Sequence, residues 1–258
     1  MNIPRSFSLA AQYVLDQWIP PALRDTKWVM GGLMRIVLGR NARHYLDFKN
    51  QAFALSDPEF ADVYCQINDA SPLQGETDLN ERCAEKILEN LRGATVLEAG
   101  CGRGFLAGRM ARTHEVTATD IVLDESAVAR YPDVDFTAAN VEALPFPDRS
   151  FDTVVCTHTL EHVQNLQQAI GELRRVARER VIIVVPRQRP YKYGFNLHIH
   201  FFPYTWSLQG YLGYRENAVI CNLGDWYYHE DVEQLTPDPT RSAGNNENVR
   251  IASARQPA

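Results

Sequence analysis

No two of the five cysteines (Cys65, Cys83, Cys101, Cys156 and Cys221) form a C-x-x-C pair. An odd, scattered set fits neither a disulfide framework nor a zinc site, so reduced thiols in a cytoplasm are expected. Long apolar runs are missing as well. The run Trp28 to Leu38 is broken by Arg35 and is too short to span a bilayer. Met1 to Ala10 lacks the apolar centre of a secretory signal. Nor is there an excess of positive charge: 26 Lys and Arg stand against 32 Asp and Glu, a net charge of −6. That balance disfavours a dedicated nucleic-acid binder, whose phosphate contacts need a basic face. No internal repeat occurs.

What charge there is lies unevenly. Residues 1–50 carry seven Lys and Arg against three Asp and Glu, residues 51–150 carry eight against eighteen, and the remainder is neutral. Solvated helix faces are the first reading. An anionic substrate, or peripheral contact with a membrane surface, is the second. A chain of 258 residues can hold one substantial α/β domain and an accessory segment.

Residues 1–75 read as that segment, helical, with amphipathic stretches at Phe7 to Ile19 (stopped by Pro20-Pro21) and around Leu33, Ile36 and Val37. A helix follows from Asp78 to Leu91, with Asp78 and Glu81 placed as a capping box. From Thr95 onward strand and helix patterns alternate, the signature of a parallel sheet covered on both faces. Strands are expected at Thr95–Ala99, Glu115–Ile121, Val134–Ala138, Phe151–Thr157 and Arg180–Val185. Helices fall between them, and an antiparallel hairpin follows around Gly224-Asp225. The expected fold is therefore α/β: a Rossmann-like, doubly wound, mostly parallel seven-stranded sheet with an antiparallel edge hairpin and an N-terminal helical segment. Residues 76–233 would form the domain and 234–258, rich in Pro, Asn, Ser and Arg, a disordered tail.

The densest signal is Val96-Leu97-Glu98-Ala99-Gly100-Cys101-Gly102-Arg103-Gly104-Phe105-Leu106, an apolar strand running through alternate glycines into a helix. Glycine lets a ligand approach the backbone because no Cβ stands in the way. A dinucleotide fingerprint, G-x-G-x-x-G, would need glycine where Phe105 stands, which disfavours a nicotinamide oxidoreductase. The second strand ends in Asp120, a carboxylate able to accept both hydroxyl protons of a ribose diol. Further blocks follow at Asn140 to Asp148, Ser150 to Cys156 and Thr157 to Val163.

The E-x-G-x-G-x-G turn, the A-L-P-F-P-D-R-S-F-D run and the L-E-H-V start resemble the type-11 branch of class I S-adenosylmethionine (SAM) dependent methyltransferases. The resemblance covers Thr95 to Pro186. It implies SAM as cofactor, with Gly100, Gly102 and Gly104 at the methionyl end, Glu98 and Cys101 in the same turn, and Asp120 on the ribose. Ile121 and Val141 would flank the adenine, Asn140 its edge, and Thr157 the amino group. Asn140 departs from the aspartate frequent in the family; its amide oxygen accepts a hydrogen bond without charge.

Methyl transfer needs alignment above all, so a base need not be conspicuous. His158 and His200 are the candidate catalytic residues. In Asn196 to Phe202, His198 and His200 would share a face if extended, but no third ligand is apparent, so no metal is expected. Arg187, Arg189 and Lys192, with Tyr191 and Tyr193, could clamp a phosphate or carboxylate. Arg43, His44 and Tyr45 are the inward-facing candidates of an N-terminal lid. The expected substrate is a small molecule, sugar or lipid-linked metabolite, methylated on oxygen by family habit. A catalytically silent SAM-binding module or sensor is the alternative. Nucleic-acid methylation is disfavoured, because no N/D-P-P-Y/F motif follows the fourth strand.

Overall fold

The structure, a computed structural model, describes residues 20–39, 42–68 and 77–232. The helix expected over 7–19 and the tail expected from 234 lie outside them. Among the described residues four α-helices come first: α1 (Pro21–Arg24), α2 (Lys27–Leu38), α3 (Ala42–Gln51) and α4 (Asp57–Asn68). Helix α5 (Glu81–Asn90) leads into β1 (Thr95–Ala99), α6 (Phe105–Met110), β2 (Glu115–Asp120), α7 (Glu125–Arg130) and β3 (Val134–Ala138). Then come β4 (Phe151–Thr157), α8 (Leu166–Val176), β5 (Ala177–Val185), α9 (Thr205–Leu212) and the hairpin β6 (Ala218–Asn222) and β7 (Trp226–Asp231).

The seven strands lie in the order β3-β2-β1-β4-β5-β7-β6. Pairing is parallel from β3 to β5 and antiparallel at β5–β7 and β7–β6. This is the expected doubly wound sheet with its edge hairpin. The chain winds outward from β1 to β3, then crosses back to β4 on the other side of β1. Ligands of such sheets bind at the carboxyl ends of the strands beside that reversal.

Side chains of β4 and β5 alternate between two cores. Val154, Cys156, Val181 and Ile183 pack with Ile170 and Leu173 of α8 on one face. Val155, Ile182 and Val184 pack with Ile87 of α5 and Leu106 and Met110 of α6 on the other. Burial on both faces is why these strands read as nearly continuous apolar runs. Asp152 fixes the edge of this region: its carboxylate accepts from the backbone N–H of Ala94 (2.8 Å) and Thr95 (3.1 Å) and pairs with Arg178.

Two local expectations are corrected. Helix α5 begins at Glu81 with Asn80, not Asp78, as its cap; the Asn80 Oδ1 accepts from Cys83 N–H at 3.0 Å. The choice among neighbouring polar residues is tertiary, since Asn80 Nδ2 also donates to Asp225 Oδ2 at 2.8 Å. In α2 the buried side is Met30, Gly31, Met34 and Leu38, whereas Leu33, Ile36 and Val37 face outward, Ile36 being 84% exposed. Both sides of that helix are apolar, so periodicity alone does not choose between them. Its buried side joins Leu46, Phe48 and Phe60 around Tyr193 and Leu197, seating the helices on the segment after β5. Among the described residues no helix is long and apolar enough to cross a membrane.

Candidate active site

Beyond β1 the chain turns through Gly100 to Gly104 into α6. The N–H groups of Gly100 and Cys101 donate to Thr119 O at 2.7 and 2.9 Å, tying the turn to β2. Two glycines of the turn serve different ends. At Gly100, with φ +80°, a Cβ would stand 2.0 Å from Thr159 Oγ1, so the position keeps room for the segment after β4. At Gly102, with φ +51°, a Cβ would meet nothing within 4 Å. That residue lines an open cavity of about 590 Å³, within the usual range for small-molecule sites.

The cavity is walled by Gly100, Gly102, Asp120, Ile121, Asn140 and Val141 at the strand ends, and by His158, Thr159 and His162 after β4. Asp120 Oδ2 accepts from Gly102 N–H at 2.8 Å, and Oδ1 from Val122 N–H at 3.3 Å. Each oxygen keeps a second lone pair for a ligand. Burial pushes the Asp120 carboxyl up, and the amides of Gly102, Val122 and Ile121 pull it back only in part. Asn140 Oδ1 accepts from Glu142 N–H at 2.9 Å, so its carbonyl already holds a turn.

His158 takes the left-handed backbone (φ +50°) and places its ring between Glu161 Oε1 and Asp225 Oδ2, each 3.4 Å away. Burial alone would lower its pKa, but Asp225 and Glu161 outweigh it and raise the value to about 10. It therefore holds a proton near neutrality and is no ready acceptor of a second one.

Five of the expected site residues lie off the cavity wall. Glu98 is 2% exposed beneath the turn, where the Ala107 amide near the start of α6 donates to its carboxylate. Such a position suits a carboxylate at a helix N-terminus whose own cap, Gly104, has no side chain. Gly104 packs against Phe136, and Cys101 and Thr157 are buried. His200 donates from Nε2 to Val163 O at 2.8 Å, behind the wall. The proposed anion clamp is likewise absent from it. Tyr191 and Tyr193 are buried, Arg24 and Lys49 stand over the Tyr191 ring at 4.0 and 3.7 Å, and Lys192 N–H donates to Asp25 at 2.7 Å. That loop holds the N-terminal helices down.

The N-terminal contribution to the wall comes from α4, through Asp57, Phe60, Tyr64 and Cys65, and not from Arg43, His44 or Tyr45. Phe60 and Tyr64 are one helical turn apart with ring centres at 5.2 Å. That aromatic i, i+4 pair was the available signal. Tyr64 OH meets His162 Nδ1 at 2.8 Å, and Gln164 donates to the carbonyls of Ala52 (2.6 Å) and Leu55 (2.8 Å), closing this side.

Burial pushes the Glu98 carboxyl up to about 8, the Ala107 amide pulling it back in part and the Asp120 charge adding to the rise. A raised folded value means the folded state binds more protons than the unfolded one. Stability in the absence of ligand therefore falls as pH rises from the ordinary carboxylate range to about 8. Glu98→Gln should reduce that slope, leaving the same-sign part that comes from the raised Asp120 and His158, as measured by urea midpoints across this range. An unchanged slope would show that Glu98 is not its source.

Residues 97–185 match the family described as "Methyltransferase domain". Over these residues the chain is similar to class I SAM-dependent methyltransferases. A Mycolicibacterium smegmatis protein named "Probable S-adenosylmethionine-dependent methyltransferase" is 32% identical over 148 residues, which cover 51% of this chain and 55% of that protein. Malonyl-[acyl-carrier protein] O-methyltransferase of Erwinia pyrifoliae is 35% identical over 108 residues (39% and 41%). The 2-phytyl-1,4-naphtoquinone methyltransferase of Trichormus variabilis is 34% identical over 139 residues (49% and 60%). The matched part thus spans about half the length of these relatives.

SAM is the cofactor of methyltransferase domains of this family. The residues present fit it. Gly102 leaves open space at the turn, Asp120 offers spare lone pairs at the carboxyl end of β2, and Ile121 and Val141 present apolar surface on the same cavity.

Proposed function

We propose that this protein transfers a methyl group from SAM to an oxygen of a small molecule, sugar or lipid-linked metabolite. The observation that supports it is the placement of Asp120 and Gly102 on one cavity at the crossover of the sheet. In this reading Asp120 accepts from the ribose hydroxyls, Gly102 lets the methionyl end pass the turn, and Ile121 and Val141 flank the adenine. Asn140 presents its amide at the adenine edge while its carbonyl stays in the Asn140–Glu142 turn. Glu98 acts from below by holding α6 and the turn in place, and Cys101, Gly104 and Thr157 shape the backbone around them. Oxygen as the acceptor atom rests on the O-methyltransferase named among the relatives.

When bound, SAM supplies a methyl group activated by a positive sulfur. The task left to the chain is to align acceptor oxygen, carbon and sulfur, which can be worth about 7–11 kcal/mol. The helices of the segment 1–75 act as a lid: Phe60 and Tyr64 cover the side of the cavity facing away from the sheet and exclude water. Residues 76–233 form the methyltransferase domain. Of the two histidines proposed for catalysis, His158 stands on the wall, its ring nitrogens facing Glu161 and Asp225, and contributes positive charge there; His200 supports Val163 from behind. The free state of all five cysteines supports a reducing, cytoplasmic setting.

Calorimetric titration with SAM, its demethylated product and NAD tests the cofactor. Binding of SAM and its product without NAD is expected, and binding of NAD alone would overturn the assignment. Transfer of labelled methyl from SAM into an extract, read by mass spectrometry, then separates an enzyme from a silent SAM-binding module. A module binds SAM and labels nothing.

A further inference from the structure

The most unusual group near the cavity is Glu161. It is fully buried, and neither carboxylate oxygen receives a hydrogen bond. A buried carboxylate without donors costs several kcal/mol unless a cation compensates it. Its side chain faces two rings: the charged His158, with Nδ1 at 3.4 Å in no hydrogen-bonding alignment and shared with Asp225, and His198, with Nε2 at 4.0 Å. The ring of His162 stands edge-on to that of His198, with centroids 4.7 Å apart. One ligand atom each from Glu161, His162 and His198 lies within 4.8 Å of the others.

We propose that Glu161, His162 and His198 bind a divalent transition-metal ion. The backbone brings them together: Ile199 and His200 N–H both donate to Glu161 O, at 2.8 and 3.1 Å, which docks the loop carrying His198 beside Glu161. Outer partners hold both rings. His198 Nδ1 donates to Gln188 Oε1 at 2.7 Å, so its Nε2 is a lone pair aimed at a carboxylate oxygen. Two acceptors facing each other with no proton between them make a cation site. His162 Nδ1 is held by the Tyr64 hydroxyl at 2.8 Å. Histidine ligands steadied by outer hydrogen bonds are the usual arrangement of metal centres.

Two nitrogens and one oxygen suit zinc, iron(II), manganese or cobalt better than calcium, which takes oxygen ligands. Metal–ligand bonds of about 2.0–2.2 Å place neighbouring ligand atoms roughly 3–3.6 Å apart, so the cluster contracts by about 1 Å on binding. Three protein ligands leave positions open, the pattern of a reactive rather than a purely structural site. His162 is a wall residue, so the ion would lie at the edge of the cavity. If methyl transfer to oxygen is the reaction, a hydroxyl of the acceptor could take an open position and release its proton to water more easily. Only this last step rests on the functional reading. The ion site does not.

The test uses the untagged full chain, stripped with a chelator and equilibrated with Zn²⁺ or Co²⁺. About one bound equivalent by elemental mass spectrometry is expected, with visible cobalt absorption bands and a raised melting temperature. His198→Ala and Glu161→Gln should each weaken binding about tenfold or more. If Glu161→Gln fails to fold, His198→Ala decides, because His198 does not line the cavity and its variant should keep SAM binding by calorimetry. Less than about 0.1 equivalent on the wild type, or unchanged binding by His198→Ala, would overturn the site. In either case Glu161 would be the counter-ion of His158 alone. Loss of SAM binding by the wild type would instead sink the methyltransferase reading and leave the ion site standing.

Discussion

Asp120→Ala weakens SAM binding about 10- to 150-fold, the equivalent of about 1.5–3 kcal/mol for hydrogen bonds to a charged group. The expectation follows from position. Asp120 lies at the carboxyl end of β2, where the Gly102 and Val122 amides donate to its two oxygens, which retain capacity for a hydroxyl. Part of the effect is indirect, because the Gly102 amide loses its acceptor and the turn loosens. Asp120→Asn separates the two contributions. Its amide oxygen can still accept from one N–H but brings no charge, so it should fall between wild type and alanine. Calorimetry gives the affinities, and a melting curve for each variant shows that the fold is kept. Equal affinity in all three proteins would move the ribose away from β2.

Gly100→Ala should be the most damaging single-methyl substitution in the turn. The backbone there has φ +80°, which costs a residue with a Cβ about 1–3 kcal/mol. The added carbon would also stand 2.0 Å from Thr159 Oγ1 and 2.6 Å from its Cγ2, an overlap worth about another 1–3 kcal/mol. The sum, about 2–6 kcal/mol, is a large share of the 5–15 kcal/mol that holds a typical domain together. Gly102→Ala is the control. It has a left-handed backbone but open space around the new carbon, so its stability loss should be limited to the backbone cost of about 1–3 kcal/mol, and its loss of SAM affinity large. Urea unfolding of the two variants would show the contrast; equal midpoints would mean that Thr159 yields freely to the methyl group.

The difference between these two glycines also marks how far the sequence could be read. Their spacing, and the strand and helix periods around them, indicate a turn of this kind at the right place. Nothing in the spacing says that one glycine makes room for Thr159 and the other for a ligand, because the deciding neighbour comes 59 residues later. Glu98 is similar. An acid ending the first strand is visible in the chain, but its seat under α6, off the cavity, depends on how the helix returns across the sheet. The wall residues Phe60 and Tyr64 were missed because α4 reaches the cavity by packing, and an aromatic i, i+4 pair does not by itself say what it faces. The H-x-H segment lacked a third ligand in sequence and meets Glu161 only because two backbone amides dock its loop there.

Local chemistry therefore determined the order and type of the elements, the glycine turn and Asp120, since each depends on residues within a few positions of one another. Side-chain alternation and helical period are properties of the backbone and can be read directly. Which apolar side of α2 is buried, which residues close the cavity and which imidazoles surround Glu161 were decided only in three dimensions. Those outcomes depend on contacts between segments tens of residues apart, where packing and the need to compensate buried charge select among options that the local sequence leaves equal.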